Sequence, residues 1–259
     1  MEFTYYKDRS KSYWQVVSTL SIKNVKLRYK NSFLGFFWSL LTPLIYLVIF
    51  IFIFSQVQMG IENYPLFAII GLIFWNFFST TSNQILTSFV DGAGILKSVN
   101  LPPIIFPISA ISASLINLLL SFIPFFILMF IFGFRPSWNT LLIIPFLISF
   151  SVFTFGFSLI LGTFNVFFRD VGMLWSSLMP ALFYLTPIAF SSTLLPENLK
   201  WVMDFNPLFH YIEMVRDILY YDRFPQMKYL VSTSALSLFF LILGAYIFRK
   251  LKPGFISNF

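Results

Sequence analysis

Six stretches of this chain are each long enough to cross a lipid bilayer and contain no Asp, Glu, Lys, Arg or His. A transmembrane helix needs about 20 predominantly apolar residues. Because the stretches are continuously apolar rather than alternating, they favour helices over the strands of a membrane barrel. The predicted spans cover residues 34–57, 64–90, 101–134, 138–168, 171–190 and 229–248. The sequence therefore predicts an all-α integral membrane protein with six transmembrane helices.

The overall composition supports this fold class and narrows the function. Hydrophobic residues make up 58% of the chain and charged residues 10%, whereas soluble domains carry roughly 25% charged residues. An ion-coupled carrier would need an ionisable residue near the middle of the membrane, and the six stretches contain none. Any cargo would therefore pass without being titrated, and the energy would have to come from another protein.

The net charge of +7 is unevenly distributed and predicts the orientation of the chain. Seven basic residues precede residue 34, and Arg249, Lys250 and Lys252 follow the last span. Cytoplasmic segments of membrane proteins are enriched in Lys and Arg, so both termini are predicted to be cytoplasmic, which agrees with six spans. The basic charge then reflects contact with membrane lipids and membrane orientation, and nucleic-acid binding is not expected.

Two segments on the predicted cytoplasmic side carry helical patterns. Residues 13–30, within an N-terminal segment 1–33, predict an amphipathic helix on the membrane face. Its apolar stripe is Tyr13, Val16, Val17, Leu20 and Leu27, and its flanking bases are Lys23, Lys26, Arg28 and Lys30. Residues 91–100 are long enough for a two-turn helix that stops before Pro102-Pro103. The apolar side chains of this second segment need a surface to contact, either the membrane or a partner.

Segment 191–228 is longer than a connection between helices usually needs and is predicted to face outward. Asn206-Pro207 is typical of a helix N-cap followed by a first-turn proline. An apolar stripe follows at helical spacing, formed by Leu208, Ile212, Val215 and Leu219. We expect two helices that dip back into the outer leaflet.

Motifs for chemistry within this chain are missing. The sequence has no G-x-x-x-x-G-K-[ST] loop, no H-E-x-x-H or G-x-S-x-G motif and no cysteine, so no cofactor or metal is expected here. The alternative of a membrane-embedded glycosyl- or acyltransferase would rest on His210, Glu213 and Asp217.

Aromatic residues make up 21% of the chain and are frequent in spans one, two and five. Most aromatics in membrane helices pack together or face lipid. A subset could instead line an uncharged path for sugars, whose C–H faces lie against aromatic rings. The candidates are Phe37, Trp38, Tyr46, Phe74, Trp75, Phe78, Phe183 and Tyr184.

The segment around the first span resembles a known family. Residues 22–44 read IKNVKLRYKNSFLGFFWSLLTPL, which is similar to the R-D-L-K-x-R-Y-K-x-S-x-L-G-x-x-W-x-x-x-x-P pattern of ABC-2 type polysaccharide-export permeases. These are the membrane subunits of O-antigen, capsule and teichoic-acid exporters. Lys23-Asn24 stands where the family usually has Arg-Asp. Further matches occur in order along the chain, at residues 71–78, 101–103, 168–170, 186–188 and 206–208.

The resemblance implies an exporter subunit without its own motor. The chain would form a homodimeric channel in the bacterial inner membrane, and two copies of a cytoplasmic ATPase would bind ATP and Mg²⁺. The cargo would be a lipid-linked polysaccharide of the O-antigen kind, as part of lipopolysaccharide biosynthesis; teichoic acid, another lipid or a drug are the alternatives.

The resemblance also implies roles for individual residues. The transmembrane domain would cover 34–252, with the gate in 191–228 and a cytoplasmic tail at 253–259. The residues implied in coupling to the ATPase are Gly94, Ile95, Leu96, Lys97, Lys26, Arg28, Arg169 and Asp170. Those implied in the outward gate are Asn206, Pro207, His210 and Arg216.

Overall fold

A computed structural model of the chain describes residues 2–54, 61–99, 101–194, 196 and 200–258. The regular elements in these ranges are all helices, which confirms the all-α prediction for them. The helices are α1 (Glu2–Arg28), α2 (Trp38–Phe54), α3 (Tyr64–Asp91), α4 (Ala93–Ser98), α5 (Ile105–Ile131), α6 (Ile143–Phe167), α7 (Asp170–Leu185), α8 (Lys200–Phe205), α9 (Pro207–Leu219), α10 (Met227–Leu251) and α11 (Phe255–Asn258). The predicted positions 55–57, 100, 195, 197–199 and 259 lie outside the described residues.

Each predicted span contains a helix, but the helices differ in length. Within the part of the chain that the structure describes, four helical stretches are long and apolar enough to cross a membrane: Tyr64–Ser98, Ile105–Ile131, Trp138–Phe167 and Met227–Asn258. Helices α2 and α7 have 17 and 16 residues, which is short of the roughly 20 that a full crossing requires. The number of six crossings therefore stays a prediction.

Helix α3 forms the centre of the bundle and packs against α2, α5 and α6. The apolar stretch within Tyr64–Ser98 that could span a membrane is 72% buried inside the chain. The corresponding stretch within Met227–Asn258 is only 17% buried, so α10 lies at the edge of the bundle. The core between α3 and α6 is largely aromatic. Phe74 meets Phe146 edge-on at 5.1 Å between ring centroids, and Phe78 stacks on Phe153 at 6.0 Å.

Helix α1 is longer than predicted and is tied to the bundle at its carboxyl end. Its Val17 and Ser21 are buried within the chain, whereas Leu27, predicted in the apolar stripe that faces the membrane, is 52% exposed. Arg28 donates to Thr80 of α3 at 3.2 Å, and Tyr29, just beyond the helix, donates to Asn117 of α5 at 2.9 Å. The helix therefore packs along α5 instead of contacting only one end of the bundle.

Helices α6 and α10 approach each other at two glycines. A Cβ on Gly156 would lie 2.5 Å from the backbone of Phe240, and one on Gly244 would overlap the carbonyl oxygen of Gly156. Small residues let helix backbones come this close in membrane proteins, where close packing replaces the hydrophobic effect as the force between helices.

Gly244→Ala is therefore expected to destabilise the bundle by about 1–3 kcal/mol, since the added methyl must push α6 and α10 apart. Gly94→Ala is the matched control because Gly94 lies in helix α4 with open space where its Cβ would be. There the substitution should be neutral or stabilise by up to about 1 kcal/mol. The thermal unfolding midpoint in detergent measures both, and equal midpoints for the two variants would contradict the close approach.

Candidate functional site

An open groove of about 460 Å³ runs between helices α2, α3 and α7. Each helix contributes one face to its wall. The residues lining it are Thr42, Pro43, Tyr46, Leu72, Trp75, Asn76, Ser79, Asn83, Ser176, Met179, Pro180, Phe183 and Tyr184. We call this the aromatic groove.

The wall of the aromatic groove is uncharged but not apolar. The rings of Trp75 and Phe183 meet at 5.3 Å between centroids, and Tyr46 and Tyr184 lie beside them. Asn76, Ser79 and Asn83 of α3 add two amides and a hydroxyl to this wall, and the Nδ2 of Asn83 donates to the backbone oxygen of Ser79 at 2.8 Å. Rings with neutral hydrogen-bonding groups suit a polar, uncharged ligand with apolar faces, which describes a sugar.

The structure sorts the predicted sugar-path aromatics into three groups. Tyr46, Trp75, Phe183 and Tyr184 line the aromatic groove. Phe74 and Phe78 are 1% and 2% exposed in the core and do not line the groove. Phe37 and Trp38 are 62% and 43% exposed where α2 begins, outside the groove lining.

Sequence reasoning from aromatics alone missed the polar members of the groove. Asn76, Ser79 and Asn83 follow Trp75 by one, four and eight positions, which places all four on one side of a helix. Phe78 lies three positions after Trp75, one turn along the helix, and the two ring centroids are 6.2 Å apart. The polar stripe therefore signals a groove at helical spacing, but the sequence does not show that Trp75 lines it while Phe78 faces the core.

A second cluster of polar contacts surrounds helix α9, at the end of the bundle opposite Arg249 and Lys252. We call it the outer junction. Its centre is Arg216 of α9, which is 0% exposed. The guanidinium bonds Glu213 at 3.1 Å and the backbone oxygen of Ile188 at 2.8 Å, and it lies 3.5 Å from the ring centroid of Phe67. A buried charge of this kind is tolerated only when it is paired and hydrogen-bonded.

Burial shifts the pKa values of both members of this ion pair. Loss of hydration lowers the pKa of Arg216 to about 10, while the carboxylate of Glu213 opposes that shift. The same loss of hydration raises the pKa of Glu213, although the charge of Arg216 acts against it. Arg216 thus stays charged at neutral pH, and Glu213 protonates at a higher pH than an ordinary glutamate.

The outer junction joins three separated sequence motifs. Asn206 caps α9 by accepting from the amide of Leu208 at 3.0 Å, as the sequence predicts. Its Nδ2 donates to the hydroxyl of Thr186 at 2.9 Å. A Cβ on Gly71 would lie 2.6 Å from the backbone oxygen of Ile188, so only glycine fits there. Helix α9 is therefore fixed to the end of α7 and to α3.

The three residues of the alternative enzyme hypothesis have separate partners. His210 bonds the backbone oxygen of Asp204 at 2.9 Å through Nε2, and Glu213 bonds Arg216. Asp217 is 1% exposed and accepts from Arg223 and from the amide of Gln226. They do not converge on the aromatic groove. Within the described ranges, no three His, Asp or Glu side chains are placed to hold a metal ion.

The predicted coupling segment contains the expected short helix, α4, at the basic end of the bundle, where Arg249 and Lys252 also lie. Gly94 and Lys97 are on its exposed side, whereas Leu96 is 8% exposed and packs within the chain. Ile95 and Arg28 line a shared cavity of about 500 Å³ between α1, α3 and α4.

The other predicted coupling residues lie apart from α4's cavities. Lys26 is exposed on α1, and Arg169 and Asp170 are exposed at the turn into α7. None of the three lines the cavities on either side of α4.

A family comparison covers most of these helices. The model of the ABC-2 type transporter membrane family matches residues 15–220, which include α2 through α9 and the aromatic groove. The chain belongs to the ABC-2 type transporter family. It is thus a multi-pass membrane protein, and the family resemblance predicted from its motifs is confirmed.

Individual relatives in the ABC-2 family are similar over nearly the whole chain. An O-antigen export system permease protein from Klebsiella pneumoniae is 34% identical over 244 residues, covering 93% of this chain and 94% of that protein. A permease of the same name from Myxococcus xanthus is 29% identical, covering 95% and 96%. A polysialic acid transport protein from Escherichia coli is 22% identical, covering 93% and 95%.

The raised pKa of Glu213 gives the ABC-2 chain a pH-dependent stability. A carboxyl group whose pKa is raised in the folded state contributes stability at low pH and loses it as the pH rises through the folded pKa. Lowering the pH from about 7 to about 4.5 should therefore raise the thermal midpoint of the wild type relative to Glu213→Gln. A glutamine side chain does not titrate but still offers an oxygen to Arg216, so the difference in thermal midpoint between the two proteins reports the titration of Glu213. A difference that stays constant, or that becomes smaller as the pH is lowered, would contradict the raised pKa of Glu213.

Proposed function

We propose that this chain is the permease subunit of an ATP-driven exporter that moves a lipid-linked polysaccharide, of the O-antigen kind, across the bacterial cytoplasmic membrane. The observation that carries the proposal is the uncharged aromatic groove along α2, α3 and α7, in a chain of the ABC-2 family. The names of its relatives, which export O-antigen and polysialic acid, support a polysaccharide as the cargo.

The chemistry of the aromatic groove suits a polymer that must slide rather than bind tightly. Rings offer apolar contact to the C–H faces of successive sugars, and neutral amides exchange hydrogen bonds without the desolvation cost of a charge. A charged residue in the wall would hold an oppositely charged group too strongly for continuous movement. Tyr46, Trp75, Phe183 and Tyr184 supply the rings, and Asn76, Ser79 and Asn83 the polar groups.

A second copy of the chain would close the aromatic groove into a channel. The groove is open on one side, and the apolar side chains of α2 and α7 beside it are turned outward. Phe52 is 83% exposed, and Met173, Leu174 and Leu178 are 70%, 63% and 53% exposed. A homodimer that buries these side chains fits the family resemblance and would enclose the sugar path between two copies.

The motor would be a separate cytoplasmic ATPase, present in two copies, that holds ATP and Mg²⁺. The sequence has no P-loop of its own. Helix α4, with Gly94 and Lys97 on its exposed side, is the proposed contact for this partner. On the orientation that the basic residues predict, with both termini cytoplasmic, α8 and α9 lie outside. There Asn206, Pro207, His210 and Arg216 would hold the gate.

Affinity purification of tagged chain, co-expressed with its neighbouring genes and gently solubilised, tests the motor. We expect an ATPase with a P-loop to co-purify at equal stoichiometry and to hydrolyse ATP. Gly94→Trp should reduce that recovery, because it places a large ring on the exposed side of α4, at a position where an added Cβ would meet no neighbour within 4 Å. If the chain purifies alone and without ATPase activity, the exporter proposal fails.

Replacing one ring of the aromatic groove tests the cargo path. Trp75→Ala should reduce polysaccharide export about three- to tenfold, the value of one aromatic contact, and Trp75→Phe should keep most of it. Trp138→Ala is the matched control, since Trp138 is 87% exposed and lies outside the groove. Surface polysaccharide in a strain lacking the native gene gives the measurement. An equal loss from both alanine variants would contradict a role for the groove.

A further inference from the structure

The basic end of the bundle carries a groove that neither the aromatic path nor the exposed side of α4 accounts for. It has a volume of about 550 Å³ and lies between α4, the segment that follows it and the end of the chain, with Tyr13 of α1 also in its lining. Leu96 and Val99 line one side, Pro102 and Pro103 lie next to them, and the end of the chain contributes Arg249, Lys252, Pro253, Phe255 and Ile256. We call this the basal groove.

The wall formed by the end of the chain is held in place by ring packing and by hydrogen bonds. Phe255 is 1% exposed, and its ring centroid lies 4.9 Å from that of Phe89 and 5.9 Å from that of Phe248. The side chains of Ser257 and Asn258 both donate to the backbone oxygen of Gly254, at 2.9 and 2.7 Å. A four-residue helix such as α11 is not stable by itself. It is held here because the ring of Phe255 packs against Phe89, close to the end of α3.

The basal groove exposes two kinds of surface that a partner would cover. Val99 and Ile256 are 52% and 68% exposed on its two walls, which leaves apolar surface open at the end of the bundle. Arg249 and Lys252 are exposed at its edge. The ion pairs found among the described residues all lie in 204–228 and use neither of these cations. Among the side chains that the structure describes, none of those lining the groove is acidic.

This surface fits an acidic segment. A carboxylate would pair with Arg249 or Lys252 in a charge-assisted hydrogen bond, and an apolar side chain next to it would cover Val99 and Ile256. The groove shares α4 with the proposed ATPase contact, so one partner could touch both surfaces at once. Continuity with that contact favours a protein partner over lipid headgroups.

We propose that the basal groove is a second docking site for the cytoplasmic ATPase, which inserts an acidic segment with an apolar side chain between α4 and the end of the chain. This inference rests on the proposed function. The chain's last residues then belong to the motor interface, and movement of the bound segment would act on α4 from two sides. The groove would also help to select the matching ATPase, because its two cations demand acids at the corresponding places of the partner.

Charge reversals in one short stretch test this docking site. Arg249→Glu and Lys252→Glu, each made in the full chain, place an acid at the edge of the groove. Lys250→Glu is the matched control, since this substitution changes the charge by the same amount at a residue outside the groove lining. The Nζ of Lys250 lies 6.0 Å from the ring centroid of Tyr246. The measurement is the affinity of the purified ATPase for each variant in nanodiscs, with the thermal midpoint as a check on folding.

Each groove variant should weaken ATPase binding about tenfold, which corresponds to about 1.4 kcal/mol, while Lys250→Glu should change it less than about twofold. The difference in ATPase affinity between the groove variants and Lys250→Glu should persist in nanodiscs made only of phosphatidylcholine. Equal weakening by all three variants, or a difference that appears only with anionic lipid, would overturn the proposal in favour of general attraction to charge or lipid. No weakening at all would also overturn it. Failure of the wild type to bind any ATPase would instead refute the proposed function.

Discussion

The free-energy cost of placing a charged side chain in the hydrocarbon of a membrane determines where this protein carries its charges. No Asp, Glu, Lys, Arg or His lies within the six apolar stretches, so the positions inside the bundle that need polarity use amides and hydroxyls. That restriction makes the aromatic groove neutral, which is the property that suits a sugar polymer. It also confines the charged network to the outer junction, where Arg216 is fully buried and depends on Glu213, the backbone oxygen of Ile188 and the ring of Phe67.

Helix α3 connects these features because its two sides have different tasks. One side carries Phe74 and Phe78 into the aromatic core with α6, which fixes the helix in the middle of the bundle. The other side presents Trp75, Asn76 and Ser79 to the aromatic groove. The rigid packing of the first side holds the rings and amides of the second at constant positions, so a sliding ligand would meet the same surface throughout its passage.

The two ends of the bundle differ in how completely their polar groups are used. At the outer junction, Asn206, Arg216 and Asp217 each have specific partners within the chain. At the basic end, Arg249 and Lys252 are exposed beside the apolar side chains of Val99 and Ile256. An end whose groups bond each other can keep a gate closed without a partner. An end with exposed cations and exposed apolar surface is suited to receive one.

The sequence by itself determined the helical class, the places of the apolar segments, the short helix between spans two and three, the cap at Asn206 and the family. These follow from local rules of hydropathy, helix capping and motif order, which act over a few residues. It could not tell that Trp75 faces a groove while Phe74 and Phe78 face the core, because all three are apolar aromatics in one span. It also could not bring Arg216 to Ile188, or Phe255 beneath Phe89. Those contacts join residues far apart in the chain, and only the packing of helices against one another decides which side of each helix is buried.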